Sequence, residues 1–110
     1  MSVKYANKIT SSIKDLRALI SANSKIKERI VSEVISQFNP IHILIRSDDG
    51  LSIKINLSDE INVSANLPKY HSMFVDIIRL VTKENDYNLQ VDSNICITVM
   101  NGHNSVLFTI

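Results

Sequence analysis

Three histidines and one cysteine, His42, His71, His103 and Cys96, are the residues of this chain best suited to ligate a metal or move a proton near neutrality. Metal centres recruit such residues at short fixed spacings, two histidines four apart on a helix face or Cys-x-x-Cys in a turn. None of the four has a partner at such a spacing. A site would need the fold to gather Cys96, His103 and His42 from distant segments, so surface histidines and an ordinary strand cysteine are expected, with no metal and no cofactor. Nucleophilic and phosphate chemistry lack their signatures too. There is no Gly-x-Ser-x-Gly, and the only glycines, Gly50 and Gly102, cannot build a glycine-rich loop. The acidic pairs Asp48-Asp49 and Asp59-Glu60 have none of the flanking oxygens of a calcium loop and suit turns. The expectation is a protein without catalytic residues.

The elements that would position these residues follow from hydrophobic spacing. Ile9, Ile13, Leu16 and Ile20 form one helical stripe, and Ile26, Ile30, Val31, Val34, Ile35 and Phe38 a second. Polar Ser21–Ser24 interrupts them, and Asn23 or Ser24 suits an N-cap. Two helices are expected, 4–21 and 24–38, the alternative being one bent helix about 50 Å long. Asn39-Pro40 ends the second. Period-two alternation then takes over, with Ile41, Ile43 and Ile45 followed by Leu51, Ile53, Ile55 and Leu57. A three-residue loop, Asp48-Asp49-Gly50, sets Ile45 opposite Ile53 and Ile43 opposite Ile55, with Gly50 at the left-handed position.

Asp59–Ala65 alternates weakly and is a candidate short strand. Pro68 suits the first position of a helix whose buried stripe is Tyr70, Phe74, Ile77, Ile78 and Val81, ending near Lys83. Three further strand candidates are 87–92, 95–100 and 105–110. An Asn101-Gly102 turn would pair Ile97 with Val106 and Ile95 with Phe108. The predicted fold is α+β: an antiparallel sheet of four to six strands, two N-terminal helices and one central helix, in the order α-α-β-β-(β)-α-β-β-β. The order of the strands across the sheet is left open by these registers.

Composition agrees with a globular chain, since 110 residues at 45% hydrophobic and 21% charged suit one domain, 1–110. A single cysteine fits a reducing compartment. No apolar run is long enough for a membrane span, and residues 1–16 lack the pattern of a signal peptide. A cytoplasmic protein without membrane contact is expected.

Two surfaces carry functional content. Up to Phe38 the chain bears a net +4 and beyond it −3, within a total of +1. If helical phase carries through residue 22, Lys4, Lys14, Lys25 and Arg29 cluster opposite the apolar stripe, where they could follow phosphates. On the sheet, Ile95, Ile97, Val99, Val106 and Phe108 would face the helices, turning Cys96, Met100 and Leu107 outward with Leu44. Such a face is either covered by the first helix or offered to a partner. The reading favoured is a small protein-binding module acting through a protein–protein interface or a homodimer, with the profile of inhibitors, immunity or antitoxin proteins and phage accessory proteins. The alternative is nucleic-acid binding through the basic helices.

Overall fold

The structure, a computed structural model, describes residues 16–87, 95–100 and 104–110. Helix α1 (Leu16–Ala22) and helix α2 (Ser24–Phe38) are separate. The break is at Asn23, whose extended backbone (φ −135°, ψ 98°) turns its side-chain oxygen toward the N–H groups of Lys25 and Ile26, at 3.1 and 3.2 Å. This cap satisfies donors that have no partner within the helix and stabilises its start by about 1 kcal/mol. Asn39 closes α2 in the left-handed conformation (φ 48°, ψ 56°), its N–H bonded to the Ile35 carbonyl. The chain then turns into strands β1 (His42–Arg46) and β2 (Ser52–Asn56).

The β1–β2 register is the expected one, Ile45 opposite Ile53 and Ile43 opposite Ile55, with Gly50 at φ +83°. Residues 59–65 are not a strand. Ser58 and Asn62 side chains accept from the N–H groups of Glu60 and Ala65, and the segment winds into a 3₁₀ turn, Ser64–Asn66. These local bonds compete with sheet pairing, while Val63 still reaches the core. Helix α3 (Leu67–Glu84) follows, with Pro68 second in the helix rather than first. Both positions lie in the first turn, where a missing N–H costs no intrahelical bond. Of the candidate strand 87–92, Tyr87 lies outside any strand and the rest outside the described residues.

Among the described residues, strands β3 (Cys96–Val99) and β4 (Ser105–Thr109) complete a four-stranded antiparallel sheet in the order β1-β2-β4-β3. One expected register is corrected. Ile97 pairs with Phe108 and Val99 with Val106, two residues away from the pairing an Asn101-Gly102 turn would give. The start of β4 is anchored to β2 instead. Asn104 gives its side-chain N–H to the Leu57 carbonyl and to Asp59, its carbonyl accepts from the Leu57 N–H, and Ser105 pairs with Asn56. Because the shift is two residues, every side chain keeps its predicted face.

One face of the sheet carries the helices. Ile26, Ile30, Val34 and Phe38 of α2 and Phe74, Ile77, Ile78 and Val81 of α3 bury themselves against Ile53, Ile55, Val106 and Phe108. All three phenylalanines of the chain meet at the centre, Phe74 stacked on Phe108 at 4.3 Å and Phe38 tilted against it at 5.2 Å. Described α1 packs at the end of the sheet, with Leu16, Leu19 and Ile20 buried and the Ser21 hydroxyl accepting from the Gly50 N–H at 2.9 Å. No helix of the described residues is long and apolar enough to cross a membrane.

Candidate functional site

The strand order puts β1 at an edge of the sheet, and this has consequences the alternation could not show. Ile41 and Ile45, expected to face inward with Ile43, are 73% and 40% exposed. An edge strand is covered by helices only as far as they overhang it, and only Ile43 is packed partly against the core. Leu44, on the opposite face, is 50% exposed. The run Ile41–Ile45 therefore shows apolar side chains to solvent on both faces of one strand.

Hydrogen-bond phase defines which groups of β1 have no strand partner among the described residues. Leu51 and Ile110 exchange both of their backbone bonds, at 3.4 and 2.9 Å, so the odd residues of β2 bond toward β4. Bonding direction alternates along a strand, so even residues of β2 bond toward β1, and their partners His42, Leu44 and Arg46 bond back. The N–H and C=O groups of Ile43 and Ile45 consequently point away from the sheet. Sheets ordinarily blunt such an edge with lysine, proline or a bulge. Pro40 precedes β1 and the charged Arg46 ends it, but its centre, Ile43-Leu44-Ile45, carries no charge, proline or bulge and pairs regularly with β2.

The sheet face away from the helices adjoins this edge. Leu44, Arg46, Ser52, Lys54, Met100 and Leu107 line an open groove of about 360 Å³ there. Three of the four predicted interface residues, Leu44, Met100 and Leu107, thus share one depression. Cys96 is exposed on the same face but pairs with Thr109 at the far end of β3, outside the groove. No described helix crosses this face. The order of strands also separates His42 from Cys96, which sit on opposite edge strands, roughly 14 Å apart at the usual strand spacing. His103 lies outside the described residues. His71 borders a second open depression with Ser64, Leu67, Pro68 and Ile97. Among the described residues no three of His, Cys, Asp or Glu converge as metal ligands.

The predicted basic face is divided differently. Lys4 and Lys14 fall outside the described residues, and the break at Asn23 interrupts the helical phase that would align them with Lys25 and Arg29. Lys25 is exposed. Arg29 is held between Glu33, one turn along α2, and Glu84 at the end of α3, 3.2 Å away, so it ties the two helices together. Both bonds, to Glu33 first and Glu84 second, raise the guanidinium pKa from an already high value.

Glu33 has its pKa lowered by the Gln37 side-chain hydrogen bond first and by Arg29 second. A carboxylate with a depressed folded-state pKa stabilises the fold above its unfolded value and loses that contribution as pH falls through the folded one. Glu33→Gln should therefore reduce stability at pH 6, with the difference from wild type shrinking toward zero below about pH 4. Denaturant titrations of both proteins across that range check it, and a difference independent of pH would contradict the assignment to Glu33.

The exposed side chains of Ile41 and Ile45 are the part of this site that sequence periodicity missed. The available signal was the uncharged run Ile43-Leu44-Ile45, apolar on both faces of a single strand. Comparison with protein-family models, with curated proteins and with solved structures gives no match to this chain.

Proposed function

We propose that this protein is a non-enzymatic binding module that recognises another polypeptide through β1 and the adjoining outer face of the sheet. The observation carrying this reading is the coincidence of exposed apolar side chains and outward backbone groups on one edge strand. An edge of this kind binds extended chain by strand addition, in which backbone hydrogen bonds supply affinity and alternate side chains supply selectivity. The groove beside Leu44, lined also by Arg46, Lys54, Met100 and Leu107, accommodates side chains of the added segment. An inhibitor, an immunity or antitoxin-type protein or a phage accessory protein would use such an interface to engage its partner. Nucleic-acid binding through the helices has less support, since Arg29 is engaged by two carboxylates.

Leu44→Glu tests the proposal. Leu44 is half exposed and outside the core, so the change should move stability by no more than about 0.5 kcal/mol. The same substitution puts a charge in the centre of the docking strand and should abolish complex formation with a defined partner, read by isothermal titration or co-elution. Full binding by a folded Leu44→Glu variant would exclude this surface.

A further inference from the structure

We infer that the partner of the β1 edge is a second copy of this chain, joined in an antiparallel β1–β1 pair about a two-fold axis through Leu44. The inference rests on the docking role proposed for that edge and specifies its occupant.

Three observations converge on it. The first is the pattern of β1, His42-Ile43-Leu44-Ile45-Arg46, in which the three central apolar residues are symmetric about Leu44. Antiparallel pairing centred there sets Ile43 against the partner's Ile45 on the helix-bearing face and Leu44 against the partner's Leu44 on the other. No apolar side chain meets a charge, and a two-fold interface requires this kind of self-complementarity.

The second is hydrogen-bond phase. Ile43 and Ile45 carry the outward N–H and C=O groups, and in this register they are the residues that face each other across the seam. Their backbone groups would form hydrogen-bonded pairs, leaving the two Leu44 residues as the non-hydrogen-bonded pair on the axis, with Cα atoms about 4.5 Å apart. A register shifted by one residue would bring outward groups opposite inward ones and lose the ladder.

The third is charge. The arginines at position 46 fall at opposite ends of the seam, about 14 Å apart at the usual rise per residue. Lys54 lies beside Leu44 on β2, so the two copies' lysines are separated by three strand spacings, again about 14 Å. Both separations exceed the screening length of about 8 Å at physiological ionic strength. The lysine stems flank the leucine pair and their ammonium groups stay in water. The result is a continuous eight-stranded sheet with β3 at both ends.

The test uses the purified full chain. Light scattering coupled to size exclusion, over a range of concentrations, should give twice the chain mass. Leu44→Glu, which opposes two carboxylates on the axis, should give the single-chain mass. Ile45→Pro should do the same while keeping the fold, because it deletes an N–H that β2 does not use. If Ile45→Pro fails to fold, Leu44→Glu alone decides the point. In a Cys96→Ser background, Leu44→Cys should cross-link to itself on mild oxidation, since the axial separation suits a disulfide. Thr98→Cys, exposed on the same face of the far edge strand, should not.

Single-chain mass for the wild type at every concentration would overturn the self-pairing, as would cross-linking of Thr98→Cys as readily as Leu44→Cys. With a monomeric wild type, loss of a native-host partner in Leu44→Glu would leave the docking surface standing with a foreign occupant. Monomeric wild type and unchanged partner capture together would remove both.

Discussion

Phe108→Ala is expected to lower the unfolding free energy by about 3–5 kcal/mol, the range for emptying a buried aromatic site. Phe108 is fully buried on β4, an interior strand, and it is the ring that joins the two helices to the sheet. Phe74 of α3 lies flat on it at 10° between planes, and Phe38 at the end of α2 meets it at 54°. Truncation therefore removes apolar burial and two ring–ring contacts together, the contacts adding about 0.5–1.5 kcal/mol each beyond area. With Ile53 and Ile97 paired on either side, the surroundings cannot collapse into the gap without disturbing the ladder. Thermal unfolding should move down by more than about 10 °C, given about 4–8 °C per kcal/mol for domains near this size. Phe108→Leu, which refills most of the volume, should recover more than half of the loss. An alanine variant within about 1 kcal/mol of wild type by urea titration would show that the ring cluster is not the centre of the core.

Gly50→Ala is expected to cost about 2–4 kcal/mol, from backbone strain and steric overlap together. At φ +83° an L-residue is strained by about 1–2 kcal/mol before any contact is considered. The added methyl would then press on the carbonyl oxygen of Ile110 and lie 2.8 Å from Cγ of Arg17. The arginine can swing aside. The carbonyl cannot, because Ile110 and Leu51 are bonded to each other in both directions at the end of the β2–β4 ladder. Movement there also disturbs the Ser21–Gly50 bond that holds α1 to the turn. Gly50→Asn separates the two causes, since asparagine tolerates left-handed backbone but carries the same Cβ. If asparagine is as harmful as alanine in equilibrium unfolding, the overlap dominates. If it is close to wild type, the conformational strain does. An alanine variant as stable as wild type would mean the turn re-forms elsewhere.

Much of the fold was legible because its signals are local. The stripes at 26–38 and 70–81 and the alternation at 41–57 each have one period, and one period admits one element. The β1–β2 register followed from loop length and face matching within seventeen residues. The β3–β4 register did not, because Asn104 and Ser105 answer to Leu57, Asp59 and Asn56, more than forty positions earlier in the chain. Alternation at 61–65 was misleading for a related reason. Side-chain bonds from Ser58 and Asn62 form within a few residues and are invisible to a count of apolar positions.

The candidate site divides along the same line. Which face each β1 side chain takes was set by the sequence, since parity along a strand is preserved by any antiparallel pairing. Leu44, Met100 and Leu107 could therefore be assigned to one face before their neighbours were known. Whether Ile41 and Ile45 are core or surface could not be read that way. That depends on where β1 stands in the sheet, and β4 inserts between β2 and β3 through contacts across half the chain. The sequence by itself determined the elements and the parity of their faces, because steric and hydrogen-bonding preferences act over a few residues. Only the tertiary structure decided that β1 is an edge of the described sheet, because edge position is a property of long-range pairing, and with it which isoleucines meet water and which backbone groups point away from the described strands.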